Sequence, residues 1–429
     1  MNLSTTGYLA ASFLSALGNS AAAVALPLVI LTTTGDPLST GIVAAATAVP
    51  TIVVGLVAGV VVDRANRRDV AVVSDVVSAL AVVAIPVVDG AIGLSLGWFI
   101  GLAIAGAVGD APGASAREAM APAIARASGA GLDRVLGFVQ GATALAMVAG
   151  PALAGGVIAV SGPTAVLGVT AAASALAAGA GLLVPRHAGA VDDSRGGDDA
   201  VARDDASPRL GSADTASGGG AWGAMLSLRE GWRVLAGSPT LAWATVLSAG
   251  SVAVTGSLQG LVLPAYALRI DRPGLAGAVL AAFAGAAIVG ALAYGALADG
   301  RTRRAWFVGG VAGALVGLVI IAPLSSPTLV IAGAAVLGLS AGPLNSAIGA
   351  ALVDLTPDRA RGRVLAVQNA FVLAAVPLGV LGAGLLAGKA GLSAATWAGV
   401  AMWTGITLIA AFAPAMRGLD AGGRARERG

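Results

Sequence analysis

Two carboxylates, Asp75 and Asp110, stand inside long stretches of otherwise apolar sequence. An acid in such a place can carry a proton while its surroundings are dry and release it when they fill with water, which is the chemistry of proton coupling or cation binding. A second pattern is one of paired signs. Gly59 is followed by Asp63, Arg64, Arg67 and Arg68, and Gly295 is followed by Asp299, Arg303 and Arg304, with Asp at the same offset in both copies. Asp and Arg this close can form charge-assisted hydrogen bonds that hold in one arrangement and part in another, a bistable latch. Anchoring at a membrane surface would account for the arginines alone and leaves the repeated Asp without a purpose.

These residues need a frame to hold them. Of the 429 residues, 57% are hydrophobic and 11% charged, with a mean hydropathy of +0.88; a soluble domain carries about 25% charged residues. Apolar runs of about 20 residues match a helix crossing a bilayer core of about 30 Å, and the sustained two-residue alternation of a membrane barrel is missing. The expectation is an all-α integral membrane protein with twelve spans, at 8–31, 38–62, 70–88, 92–116, 135–159, 163–184, 239–267, 274–298, 305–323, 328–353, 364–388 and 392–415. Asp110 then falls in the fourth span and Asp75 about two turns into the third, with no Lys or Arg at comparable depth. A structural role beside Arg117, on the same helical face, is the alternative for Asp110. Packing near the latch is the alternative for Asp75.

Basic residues set the orientation. With the N-terminus in the cytoplasm, 22 of the 25 Lys and Arg fall on the inner side, leaving Arg269, Arg272 and Lys389 outside. Both termini are therefore expected to be cytoplasmic. Residues 185–220 have almost no large apolar side chains and read as a disordered linker, followed by an amphipathic stretch suited to the membrane interface. The organisation expected is a first six-helix bundle over 1–184, a cytoplasmic linker over 185–236, a second bundle over 237–416 and a tail over 417–429. The repeated loop makes the two bundles pseudo-symmetric copies.

The stretch "GVVVDRANRRDV", through Gly59, Asp63, Arg64, Arg67 and Arg68, resembles the loop signature of the major facilitator superfamily. "GPALAGG", with Gly150, Pro151 and Gly155, resembles the fifth-helix signature of exporters in that superfamily. "LSALGNS", "LREGWRVL" and "TPDRARGRVLAVQN" are similar to the twelve-span drug:proton antiporter subgroup that includes macrolide efflux proteins and the enterobactin exporter. The resemblance implies a substrate cavity between two rocking bundles, a loop that keeps the cytoplasmic side closed, and a fourth helix that lines the cavity. Polar residues on the expected cavity helices are candidates for substrate contact: Asn19, Gln140, Gln259, Asn345 and Gln368. Each is equally suited to an interhelical hydrogen bond.

Other chemistries lack their parts. There is no phosphate-binding loop, no cysteine, one histidine (His187) and one lysine (Lys389, at a span end), so neither an ATP-driven pump, a metal site nor a hydrolase is expected. No cofactor is expected. The expected partners are a small-molecule substrate, protons and the lipid bilayer, without nucleic acid, for a monomer in the bacterial inner membrane. The function expected is export of an amphipathic, drug-like compound by proton antiport. Export of a siderophore or other self-made metabolite is the alternative within transport, and a transporter-shaped receptor or lipid-handling protein without proton coupling is the alternative outside it.

Overall fold

The computed structural model describes residues 3–190, 231–297, 303–356 and 361–412. Among the described residues the chain is helical, with no strand. The first half holds α1 (Leu3–Thr34), α2 (Pro37–Arg64), α3 (Arg67–Ile92), α4 (Leu96–Ser128), α5 (Leu132–Ser161) and α6 (Pro163–Leu182). In the second half α7 runs Pro239–Ser257, passes through a π-helical turn at Leu258–Val262 and continues as Leu263–Arg269. It is followed by α8 (Leu275–Leu297), α9 (Arg303–Ile321), α10 (Pro327–Leu355), α11 (Arg361–Ala390) and α12 (Leu392–Phe412). Ten spans among the described residues are long and apolar enough to cross a membrane, and Ala305–Ile321 is a shorter apolar helix.

Local chemistry sets where the helices begin. Pro37, Pro163, Pro239 and Pro327 occupy first-turn positions, where a missing N–H costs nothing. Asp36, Asn66, Ser95 and Ser326 cap α2, α3, α4 and α10 by accepting backbone N–H groups. Gly129 ends α4 in the left-handed region, at φ 67°.

Each expected span coincides with a helix to within a few residues at both ends, except the fourth. That span was expected to stop at 116, whereas α4 continues for three more turns to Ser128. The linker was expected to begin at Pro185. Instead Arg186–Gly189 forms a 3-10 turn with Ala188 and Gly189 buried against the first half. The helix expected to lie at the interface is described only from residue 231, where Trp232 stacks on Phe371 at 5.6 Å and Leu235 is buried. Residues 191–230 and 413–429, which include most of the expected linker and all of the expected tail, lie outside the described residues.

The two halves repeat one packing scheme. In the first, α1 packs on α5, α2 on α4 and α3 on α4; in the second, α7 packs on α11, α8 on α10 and α9 on α10. The halves meet chiefly through α2 against α11 and α5 against α8, two contacts that exchange under the same six-helix shift.

The ends of the molecule differ. One core cluster joins Val24, Leu28, Val43, Ala154 and Ile158 of the first half to Leu261, Tyr266, Val279 and Val380 of the second. The members that join the halves lie toward the end that carries the α1–α2, α5–α6, α7–α8 and α11–α12 turns, and the rest of the cluster runs on through the second half. A separate cluster at the opposite end, around Tyr8, Val62, Ala116, Met120, Ile124 and Val135, draws every buried member from the first half. Among the described residues the halves are therefore packed together at one end, while at the other, the end that bears the α2–α3 signature loop, the first half has a core of its own.

Candidate functional site

The site begins with a seam of small residues. A Cβ on Gly109 would meet Ser78 Oγ at 2.9 Å, and one on Gly113 would meet Ser74 Cβ at 2.7 Å, so α3 and α4 approach at a distance only glycine allows. This approach places Asp75 of α3 beside Arg117 of α4. Arg117 Nη1 donates to both Asp75 oxygens, at 3.1 and 2.9 Å, while its Nη2 donates to Ser15 Oγ of α1 at 2.8 Å. Ser15 in turn donates to Asp75 Oδ1 at 3.0 Å, and Tyr8 donates its hydroxyl to the Arg117 carbonyl at 2.9 Å. The pair is sealed, its side chains 13% and 5% exposed.

This overturns the expectation that no cation lies at the depth of the acids. Ending the fourth span at 116 placed Arg117 in or beside the loop that follows. In the structure its charge is met inside the bundle by Asp75, and the helix runs on. The pairing also removes Arg117 as the direct partner of Asp110. One turn from Gly113, Asp110 is half-buried, accepts a hydrogen bond from Ser78 Oγ and is reached by the Asn19 side chain of α1. It forms no ion pair among the described residues.

The signature loop is built differently from its expected form. Asp63 and Arg64, at the end of α2, are exposed and form no ion pair among the described residues. Asp69, on the first turn of α3, is the acid that engages cations: Arg68 Nη1 at 2.8 Å, and the Arg186 guanidinium through Nε at 3.0 Å and through Nη2. The carboxylate beside it holds the Arg186 guanidinium above its ordinary value. The motif arginines donate to backbone. Arg67 Nη1 reaches the Ala119 carbonyl of α4 at 3.3 Å, and Arg68 reaches the carbonyls of Leu182 and Val184 at 3.0 and 3.2 Å. The last carbonyls of a helix lack intrahelical partners, so Arg68 in effect caps α6. Asn66 caps α3 and donates to the Arg186 carbonyl at 2.9 Å. Gly59 lies within α2. Asp299 lies outside the described residues, as do the side chains of Arg303 and Arg304 at the start of α9.

Gly150, Pro151 and Gly155 stand where α5 meets two neighbours. A Cβ on Gly150 would come within 2.2 Å of Ser20 Oγ on α1, whose hydroxyl donates to the Ala146 carbonyl at 2.8 Å. On the other side, a Cβ on Gly277 of α8 would meet the Pro151 carbonyl at 2.3 Å and Gly155 N at 2.5 Å. The motif is thus the first half's share of the sealed seam with the second half. Sequence reasoning named Gly155 and missed its partner Gly277, one small residue among many.

Of the five polar candidates for substrate contact, Asn19, Gln140 and Asn345 are exposed and Gln259 is half-buried in the π turn. Gln368 is buried, its Nε2 3.5 Å from Ser248 Oγ of α7, which makes it an interhelical contact between α11 and α7. Ser15, Ser78 and Tyr8 were missed. Their hydroxyls are of a kind common along the helices, and only the acids opposite mark them out.

The chain matches the Major Facilitator Superfamily over residues 8–271 and 245–428. It is 29% identical over 414 residues to the multidrug efflux pump Tap of Mycolicibacterium fortuitum, covering 96% of this chain and 95% of the relative. To the multidrug efflux pump Tap of Mycobacterium tuberculosis it is 30% identical, covering 96% and 93%. Among solved structures, the nucleoside transporter NupG shares the fold with a TM-score of 0.68 at 14% identity, covering 96% of this chain and 98% of that one. A bacterial homologue of the iron transporter ferroportin, in an inward-facing state, shares it with a TM-score of 0.66 at 14% identity, covering 95% and 97%. With both halves matched and the fold shared along nearly its whole length, this multi-pass membrane chain belongs to the Major Facilitator Superfamily.

Proposed function

We propose that the protein is a secondary transporter that exports an amphipathic small molecule, drug-like in character, in exchange for protons. The excess of Arg at the signature end assigns that end to the cytoplasm, together with both termini, and the bacterial inner membrane as the location. The observation that carries the reading is Asp110: a carboxyl on a membrane-spanning helix, held by a hydroxyl and an amide and in no ion pair among the described residues. An acid so placed can hold a proton while dry and lose it to water, and a charge at the bilayer centre is too costly, at about 2.5–3.5 kcal/mol on the mildest scale, to be kept without use.

The arrangement of cores supports alternating access. Among the described residues the halves meet at the end assigned outside, and at the end assigned inside the first half has a core of its own, as in a carrier waiting for a substrate from the cytoplasm. The efflux activity in the names of the two mycobacterial relatives supports export and a drug-like substrate. The apolar helices, rich in Ala, Val, Leu and Gly, favour an amphipathic organic molecule over a sugar. We assign function to a monomer.

The test is efflux of fluorescent dyes, macrolides and siderophores from cells expressing the wild type or Asp110→Asn, with and without a protonophore. Export of a dye or macrolide that collapses in both the mutant and the protonophore is expected. Export that survives both would remove proton antiport through Asp110, and export confined to siderophores would replace the drug-like substrate class.

A further inference from the structure

Arg117 has one cationic head and two carboxylates around it. It is bonded to Asp75, yet Asp110 lies two turns back on its own helix, about 10 Å of rise away, within electrostatic reach of both Arg117 and Asp75. Helical side chains lean toward the N-terminus, so Arg117 already points along α4 toward Asp110. The residue between them is Gly113, and the position its Cβ would occupy is 3.5 Å from Arg117 Nη2. Gly113 itself puts no side chain between the guanidinium and the second acid, and the neighbour from α3 at that point is the small Ser74, so the route along α4 passes a hydroxyl and no bulky group.

We infer that Arg117 is a switch cation, held by Asp75 in the state seen here and drawn to Asp110 when Asp110 loses its proton. The inference rests on the proton-antiport reading and specifies how its acid is reset. In the present state Asp75 is ionised and paired, and Asp110 is protonated and neutral. When Asp110 releases its proton to cavity water, its carboxylate attracts the guanidinium past Gly113. Asp75, left without its cation, takes a proton from water at the signature end. One proton leaves Asp110, one arrives on Asp75, and the net charge of the three groups is zero before and after. Reversal restores the starting state.

The other groups facing Arg117 are compatible with this exchange. From α1 come the hydroxyls of Tyr8 and Ser15, and Ser15 can remain bonded to a protonated Asp75. From α3 come Asp75 itself, Arg68, which lines the same small cavity, and Arg67, which binds the Ala119 carbonyl. The lining of that cavity from α6 and the turn after it is Gly181 and Val184, neither charged. Glu118, next along α4, is exposed. Arg67 and Arg68 are committed to backbone carbonyls and Asp69, so among the described residues facing this seam Arg117 is the cation placed to change acids. Arg117 is thus a positioning residue that acts through Asp110.

The test uses the full chain in proteoliposomes, with ethidium as the probe and an imposed pH gradient. The double variant Asp75→Val/Arg117→Ile removes both charges while keeping apolar volume in the seam. It is expected to melt like the wild type, to exchange ethidium down its gradient, and to lose at least tenfold of its uphill transport. Uphill transport at the wild-type rate in a well-folded double variant would overturn the switch while leaving proton antiport intact. Wild-type transport indifferent to the pH gradient would instead overturn the antiport reading and the switch with it. A second measurement needs no substrate: infrared difference spectra of the purified protein after a pH jump. Wild type is expected to show one carboxyl gaining a proton as another loses one, and Arg117→Gln is expected to uncouple the two signals; paired signals in Arg117→Gln would overturn the inference.

Discussion

The α3–α4 seam and the α9–α10 seam are copies of one packing solution with opposite chemistry. In the first half Ser74 sits on Gly113; in the second Gly310 sits on Leu344. In that register Val311 stands where Asp75 does, Ile348 where Arg117 does and Ala341 where Asp110 does. Val311 and Ile348 are buried in the shared core, and the Val311 carbonyl takes a hydrogen bond from Trp403 Nε1 at 2.9 Å. At the positions of the ion pair the fold therefore holds this helix pair together with aliphatic side chains. A buried ion pair seldom adds stability over a well-packed apolar pair, so the charges in the first seam answer to something other than folding. If the protein is the proton antiporter proposed above, the comparison puts its proton chemistry in the first half and leaves the second as an apolar counterpart.

The largest expected effect falls on Asp110. Asp110→Asn preserves shape and the contacts to Ser78 and Asn19 but cannot release a proton, and uphill efflux is expected to fall at least tenfold. In the second half Ala341→Ser, a small polar change at the matching position, is expected to leave efflux and its pH dependence as they are. Transport assays at several pH values check both, and a pH profile that moves with Ala341→Ser but not with Asp110→Asn would reverse the assignment of the halves.

The next effect is on stability. Arg117→Ala leaves the Asp75 carboxylate buried without its cation, a loss expected to be about 3–5 kcal/mol. Gln368→Leu in the second half removes one long hydrogen bond from a buried site, with an expected cost below about 1 kcal/mol. Thermal melting in detergent ranks the two, and similar shifts for both would mean that the first seam is ordinary packing.

How the sequence foretold these features depended on whether a residue's partner was visible in it. Twelve apolar runs specify twelve helices because a bilayer leaves the backbone few other choices. Asp75 and Asp110 stood out because an acid in such a run is rare. Their partners did not: Ser15, Ser78 and Tyr8 are ordinary hydroxyl residues until the helices assemble. Arg117 was set just beyond the fourth span because a charge lowers the hydropathy of a run whether or not another helix neutralises it. The same limit explains the signature loop, where the repeat drew attention to Asp63 while the acid that engages cations is Asp69, bonded to Arg186 more than a hundred residues away.

A smaller effect, on conformational balance, follows from the sealed seam between halves. Gly277→Leu sets a side chain against the Pro151 carbonyl and Gly155, which parts α5 from α8 at the sealed end. The population is expected to shift toward a state open at that end. The chain has no cysteine, so Ala278→Cys introduces a single thiol beside the seam. Labelling of that thiol by a membrane-impermeant maleimide from outside should speed up when Gly277→Leu is added. An unchanged rate would mean that the α2–α11 contact alone keeps the end shut.

The smallest effect is expected at the signature loop, where the halves differ again. The register that lays Gly295 on Gly59 lays Ala305 on Asp69, so the second copy has no carboxylate at that position. In the first copy the Arg186 side chain is 74% exposed, and water and salt screen such a pair until little of its attraction remains. The backbone bonds from Asn66 and Arg68 hold the 3-10 turn without it. Asp69→Ala, which makes the first loop like the second, is therefore expected to leave the melting midpoint and the efflux rate where they are, at low and high salt alike. A drop in efflux without a drop in stability would show that the loop's acid takes part in transport, and the division between a working first half and a supporting second would then extend from the membrane interior to its surface.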